Sequence, residues 1–120
     1  MDIRVGMVVV DCADPLRLAE FWSQATGYAM QESDESWAWI KGSDDGAAEI
    51  GFQRVPEPKA GKNRVHVDLH TDDEEREAQR IEALGARRLY VSDNPSDIFI
   101  TLADPEGNEF CVCRDQDLVS

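Results

Sequence analysis

The sequence predicts an α+β domain assembled from two tandem copies of one strand–helix–strands unit. Three observations lead there. The order of elements occurs twice along 120 residues. A shift of 62 residues lays Arg4-Val5 on His66-Val67, Ala38-Trp39-Ile40 on Ile100-Thr101-Leu102, and Glu49-Ile50 on Cys111-Val112. Apolar residues recur every second position in the strand segments and every third or fourth in the helical ones. Each unit then makes a curved sheet with one helix on its outer face, and neither buries its core well alone.

Ile3–Val10 is β-branched and closed by polar residues, so it reads as the first strand. Asp14-Pro15 gives an N-cap and a proline at the first helical position. Leu18, Ala19, Trp22 and Ala25 form the apolar face of that helix, and Gly27 stops it. After a polar gap, Trp37–Ile40 and Ala47–Val55 flank a Gly- and Asp-rich turn from Lys41 to Gly46 and read as a hairpin.

Pro56 to Asn63 (PEPKAGKN) is linker-like. Arg64–His70 then alternates as a half-buried strand, and Asp72 and Asp73 can cap a helix faced by Ala78, Ile81 and Leu84 and stopped at Gly85. Arg87–Val91, Ile98–Leu102 and Glu109–Arg114 complete the second copy. The DPEGN turn before the last strand is expected to place Gly107 and Asn108 at positive φ. Residues 1–120 thus read as a single domain: module one at about 2–56, a linker at about 56–63 and module two at about 64–115.

The charge excludes several classes of partner. Twenty-five acidic residues against 12 basic ones leave a net charge of −13, spread evenly over both halves. Such a surface cannot neutralise a phosphate backbone, nor does it suit an anionic membrane. The longest apolar stretch, Val5 to Val10, is six residues, where a membrane-spanning helix needs about 20. The N-terminus lacks the pattern of a signal peptide, and three cysteines, an odd number, fit a reducing cytoplasm.

Alternation sorts the candidate functional residues. Val65, Val67 and Leu69 are expected on the helix side, with His66, Asp68 and His70 opposite. Ala48, Ile50 and Phe52 oppose Glu49, Gly51 and Gln53; Phe110 and Val112 oppose Glu109, Cys111 and Cys113. In the first strand, Val5 and Met7 are expected inward and Arg4, Gly6 and Val8 outward, on the face given to Trp37 and Trp39. These polar faces either meet water or face each other across a cleft. The two tryptophans and the convergence of His, Asp, Glu and Cys favour the cleft.

The segments VVVDCADP, VPEPKAGKNR, RVHVDLHTDD and DPEGNEFCV resemble the glyoxalase/bleomycin-resistance/dioxygenase (vicinal oxygen chelate) superfamily, and within it the glyoxalase-like domain members. The resemblance implies two βαβββ modules whose curved, mainly antiparallel sheets form a U-shaped cleft with the helices outside, and commonly a homodimer. Metal-using relatives take one ligand from the first and one from the last strand of each module. Carried onto this chain by the 62-residue shift, those places are Arg4, Glu49, His66 and Cys111. Glu49, His66 and Cys111 can ligate, but Arg4 keeps its proton and repels a cation. The expectation is therefore no cofactor, with an Arg4–Glu49 ion pair and His66 beside it. Asp68 or His70 could stand in for the missing ligand.

No nucleophile elbow or phosphate loop is present, and Cys111-x-Cys113 alone does not make a zinc site. The favoured function is a metal-free binder of a small cationic or aromatic compound, using Arg4, Trp37, Trp39, Gln53, Asp68, His70, Glu109 and Cys111. The alternative is a lyase, isomerase or dioxygenase-type enzyme acting on a small organic acid, aldehyde or ring compound. In that enzyme Glu49 and His66 would be acid/base groups and Arg4 the anchor for a carboxylate. A third reading is a partner subunit whose cleft is vestigial.

Overall fold

The computed structural model describes residues 2–44 and 46–119. The chain divides into two compact units, Met1–Lys59 and Ala60–Ser120. The first holds β1 (Val8–Cys12), α1 (Pro15–Thr26), β2 (Ala29–Met30), β3 (Trp37–Lys41) and β4 (Glu49–Arg54). The second holds β5 (Asp68–Thr71), α2 (Glu74–Ala83), β6 (Arg87–Val91), β7 (Phe99–Ala103) and β8 (Glu109–Arg114). The sheets run β1-β4-β3-β2 and β5-β8-β7-β6. In each, the first and last strands pair parallel and the other neighbours antiparallel. This is the predicted α+β architecture of two βαβββ modules.

Both helices begin as their sequences dictate. The Asp14 carboxylate accepts the Arg17 N–H at 3.3 Å ahead of Pro15, and Asp73 accepts that of Arg76 at 3.2 Å. Gly27 at φ 79° ends α1 and donates its N–H to Ser23 O. Leu18, Ala19, Trp22 and Ala25 are buried on α1, which packs on β3 and β4 with Ala38, Ile40, Ile50 and Phe52. Ala78 and Ile81 do the same on α2, over β7 and β8 with Ile100, Leu102, Phe110 and Val112. Each large side chain buried this way contributes about 1.5–3 kcal/mol.

The first strand differs most from expectation. It starts at Val8 rather than Ile3, because its partner β4 begins only at Glu49 and the ladder opens with Val8 opposite Ile50. Ile3 and Val5 are exposed instead. Val8 shares the helix side with Ile50, not the outward side expected for it, whereas the Met7 sulfur lies over Gly51 on the open face. A continuous run of valines carries no alternation, so the sequence left the strand free to slip by one residue.

Likewise β5 starts at Asp68, not Arg64, and Val65 is exposed rather than packed on the helix. The two-residue β2, paired with Lys41 and Ile40, is too short to leave a pattern. In the DPEGN turn Gly107 takes φ 86°, but Asn108 does not share it: every described non-glycine residue has negative φ. Asn108 is held instead by its backbone and side-chain amides, which donate to the buried Asp104 carboxylate at 2.9 and 3.1 Å. Asp104 also accepts the Glu106 N–H. Asp104→Ala is therefore expected to lower unfolding stability by about 1–3 kcal/mol, since buried donors lose their acceptor. An unchanged urea midpoint would contradict this account of the turn.

Candidate functional site

The site is built on the sheet faces that the helices do not cover. In module two the ladder sets Asp68 beside Cys111 and His70 beside Cys113. Thr101 and Phe99 of β7 stand opposite the same two cysteines. Period-two alternation puts all of these on the open face, with buried Ile100, Leu102, Phe110 and Val112 facing α2.

That face holds a pocket of about 650 Å³. Its acids are Asp68, Asp97 and Glu109, and its bases are Lys62 and His66. Tyr90 and Phe99 give it an aromatic wall, with ring centres 5.9 Å apart and planes tilted 43°. His66 Nε2 lies 3.2 Å from Asp68 Oδ1, and the Cys111 sulfur 3.4 Å from Thr101 Oγ1. Glu109 accepts the Asn63 N–H at 2.9 Å and so ties the segment before β5 to the start of β8. Burial pushes the Cys113 thiol from its ordinary 9.0 up to about 11, helped by the charges of Asp68, Cys111 and Asp97.

Of the expected site residues, His66, Asp68, Glu109 and Cys111 thus meet in one pocket. His70 turns to Asp115, whose Oδ2 is 3.0 Å from its Nδ1. This bond holds the Asp115 carboxyl below its usual range. Contact between His66 and Asp68, two residues apart, was not to be counted on from spacing. Tyr90, Phe99 and Asp97 escaped the sequence reading. Phe99 was within its reach, because it alternates with Ile100 and Leu102, but Tyr90 and Asp97 depend on cross-strand register and loop path.

In module one, Trp37 and Trp39 share the open face with their cross-strand partners Gln53 and Gly51. A Cβ on Gly51 would run into the Trp37 ring and come within 2.7 Å of the Met7 sulfur. The missing side chain lets both lie flat on the strand. Arg4 and Glu49 line a smaller pocket of about 450 Å³. The cation closest to Glu49 is Lys41, at 3.7 Å, and among the described residues Arg4 makes no ion pair. The expected Arg4–Glu49 pair gives way to one between hydrogen-bonded neighbours on β3 and β4.

The register also changes which positions of the two modules correspond. Met7 and His66 each stand seven residues before their helix N-cap, Asp14 and Asp73. Val9 and Asp68, five before it, pair with Gly51 and Cys111. The 62-residue shift holds for β3 and β7, where Ala38 and Ile100 oppose Phe52 and Val112. It misaligns the outer parallel pair. Met7, not Arg4, is the counterpart of His66, so the guanidinium does not occupy a ligand place. Module one offers a thioether and a glycine there. Module two offers a histidine nitrogen, an Asp68 oxygen and the Cys111 sulfur, all within 4.8 Å of one another. Those donors suit a borderline ion such as zinc better than magnesium or calcium.

Fold and face together are those of a glyoxalase-like domain. The model of the glyoxalase-like domain family matches residues 7–113, and the chain belongs to that family. Curated protein sequences give no match. Among solved structures, the chain is similar to a glyoxalase/bleomycin resistance protein/dioxygenase family enzyme from Burkholderia phytofirmans PsJN. The identity is 19%, the coverage 91% of this chain and 96% of that one, and the TM-score 0.75. It is also similar to the bleomycin-binding protein of Streptomyces verticillus, solved with copper(II)-bleomycin, at 17% identity, 97% and 100% coverage and TM-score 0.67. A mutant of the fosfomycin resistance protein of Listeria monocytogenes, solved with Mn(II) and 1S,2S-dihydroxypropylphosphonic acid, shares 14% identity, 94% and 90% coverage and TM-score 0.75. No helix of the described residues is long and apolar enough to cross a membrane.

The raised Cys113 thiol has a measurable consequence. Its neutral form is favoured by folding, so its contribution is complete below pH 9.0 and is lost as the pH rises towards about 11. The denaturant midpoint should fall over that window in the native protein, and fall less in Cys113→Ala. Equal slopes for the two proteins would refute the assignment.

Proposed function

We propose that this protein binds a small cationic aromatic compound on the open face of its second module. The observation that carries the reading is the pocket of about 650 Å³ in which the Tyr90–Phe99 wall stands among three carboxylates. Its size is that of a small-molecule site. Three acids against one lysine and one histidine bias it towards cations, and each aromatic face adds about 0.5–1 kcal/mol of cation–π attraction at such exposure. The net charge of −13 draws the same ligands in from solution. Trp37 and Trp39 give module one a second stacking surface. The bleomycin-binding neighbour supports a binding role. The odd number of cysteines, with Cys111 and Cys113 as free thiols, supports a reducing cytoplasm.

One contact favours a second reading, an enzyme of lyase, isomerase or dioxygenase type acting on a small organic substrate. Asp68, 3.2 Å from His66 Nε2, can orient the imidazole as a general base beside the pocket. His66→Gln would then abolish turnover while leaving binding intact.

The binding reading is tested with N-methylquinolinium and its neutral isostere quinoline, followed by fluorescence and thermal shift. The cation is expected to bind more tightly, and more weakly as salt screens the carboxylates. Asp97→Asn and Tyr90→Ala should each weaken it roughly three- to tenfold. Equal affinity for cation and isostere, or indifference to both substitutions, would sink the proposal.

A further inference from the structure

We propose that the ligand of the module-two pocket is a zwitterion, whose cationic ring lies near Asp97 and whose carboxylate is anchored by Lys62. This ligand class narrows, and depends on, the cation-binding role proposed above. Its support is which charges in the pocket already have partners. Glu109 accepts the Asn63 N–H at 2.9 Å, and Asp68 lies 3.2 Å from His66. Lys62 and Asp97 line the same pocket, and among the described residues neither side chain makes an ion pair or a hydrogen bond. One ammonium and one carboxylate are thus left for a ligand to meet.

The backbone holds these two anchors apart. Asn63 also donates from its side-chain amide to the Glu109 carbonyl, at 3.3 Å, so the chain next to Lys62 is fixed at the first residue of β8. Asp97 comes two residues before β7, where its carbonyl accepts the Ser92 hydroxyl at 2.7 Å and its N–H donates to Asn94 O. Phe99, with Tyr90 beside it, stands opposite Cys113. Glu109 and Cys113 are four residues apart, about 13 Å along an extended strand. The aromatic wall therefore belongs to the Asp97 end of the pocket and Lys62 to the other, and the flexible four-carbon stem of the lysine covers part of the span. Surface charge selects the class further. A net charge of −13 repels a free anion before one lysine could hold it. A zwitterion has no net charge, meets no such barrier and gives each anchor its partner.

The test compares N-(3-carboxypropyl)quinolinium with its primary amide, which keeps the shape and the cation but not the carboxylate. Both are titrated into the full chain and followed by fluorescence. The zwitterion is expected to bind about two- to fivefold more tightly than the amide at low salt, as an exposed ion pair allows. That advantage should shrink as salt rises. Lys62→Gln should erase it while the amide binds at least as tightly as before. Lys59→Gln, which removes a lysine that does not line the pocket, should keep it. A zwitterion that binds no better than the amide overturns the proposal, and so does an advantage that survives Lys62→Gln in a folded protein. In both cases binding of the amide leaves the cation reading standing, whereas binding of neither compound removes both.

Discussion

The register of the parallel strand pair is the constraint on which the rest of each module depends. Side chains alternate faces with period two, so one residue of slip between β1 and β4, or between β5 and β8, would exchange core and open face entirely. The buried partners settle the choice. Ile50 and Phe52 in one sheet and Phe110 and Val112 in the other are nearly or fully buried, and the alternative register would put them in water. Several large apolar side chains at about 1.5–3 kcal/mol each outweigh any preference of the polar face. The positions of Asp68 and Cys111 are therefore by-products of packing on the far side of the sheet.

The same constraint, applied to two different sequences, gives modules with one frame and unlike faces. Module one lays Met7 and Trp37 across Gly51, and its charged residues sit at the edge, with Glu49 on Lys41. Module two places a histidine, an aspartate and a cysteine at and next to the corresponding points, beside an aromatic pair. An aromatic floor and a polar donor cluster do different work. One offers stacking area with little desolvation cost; the other offers ligand atoms and charge. Module two combines both kinds of surface, whereas module one offers the aromatic floor with its charges at the edge.

Much of this was legible in the residues. Both helices, both N-caps, the faces of β3, β4 and β8 and the doubled order follow from spacing and end signals. Their polar and apolar positions alternate clearly, and Asp-Pro and Gly are strong punctuation. The run Val8–Val10 was opaque because every residue in it is equally content on either side. The uniform 62-residue offset, not this ambiguity, sets Arg4 where Met7 belongs and so puts a guanidinium at a ligand place that the resemblance implies. Internal repeats invite one uniform offset, but loops of unequal length shift strands by different amounts. Hydrogen-bonded partners, not identities, show which positions correspond. Tyr90 lay beyond reach for a related reason, since the bulge between Arg88 and Tyr90 changes β6 parity in mid-strand, and Asp97 lies in the loop before β7, where no alternation applies.

What holds the pocket strands to their helix is electrostatic as well as apolar. Arg114, at the end of β8, donates through Nε and a terminal nitrogen to both Glu74 oxygens, at 2.6 and 3.1 Å. Arg88, on β6, bridges Glu75 and Glu82 at the two ends of α2. Glu74 is only 8% exposed, so its charge is expensive to bury and is held by its partner. Exposed ion pairs contribute little, but two-pronged ones fix geometry. These two clamp the outermost pocket strand and the strand that carries Cys111 onto one helix. Glu109, at the other end of β8, anchors Asn63 in the segment leading to His66. An acidic chain thus uses two of its arginines, Arg88 and Arg114, to set distances beneath the open face.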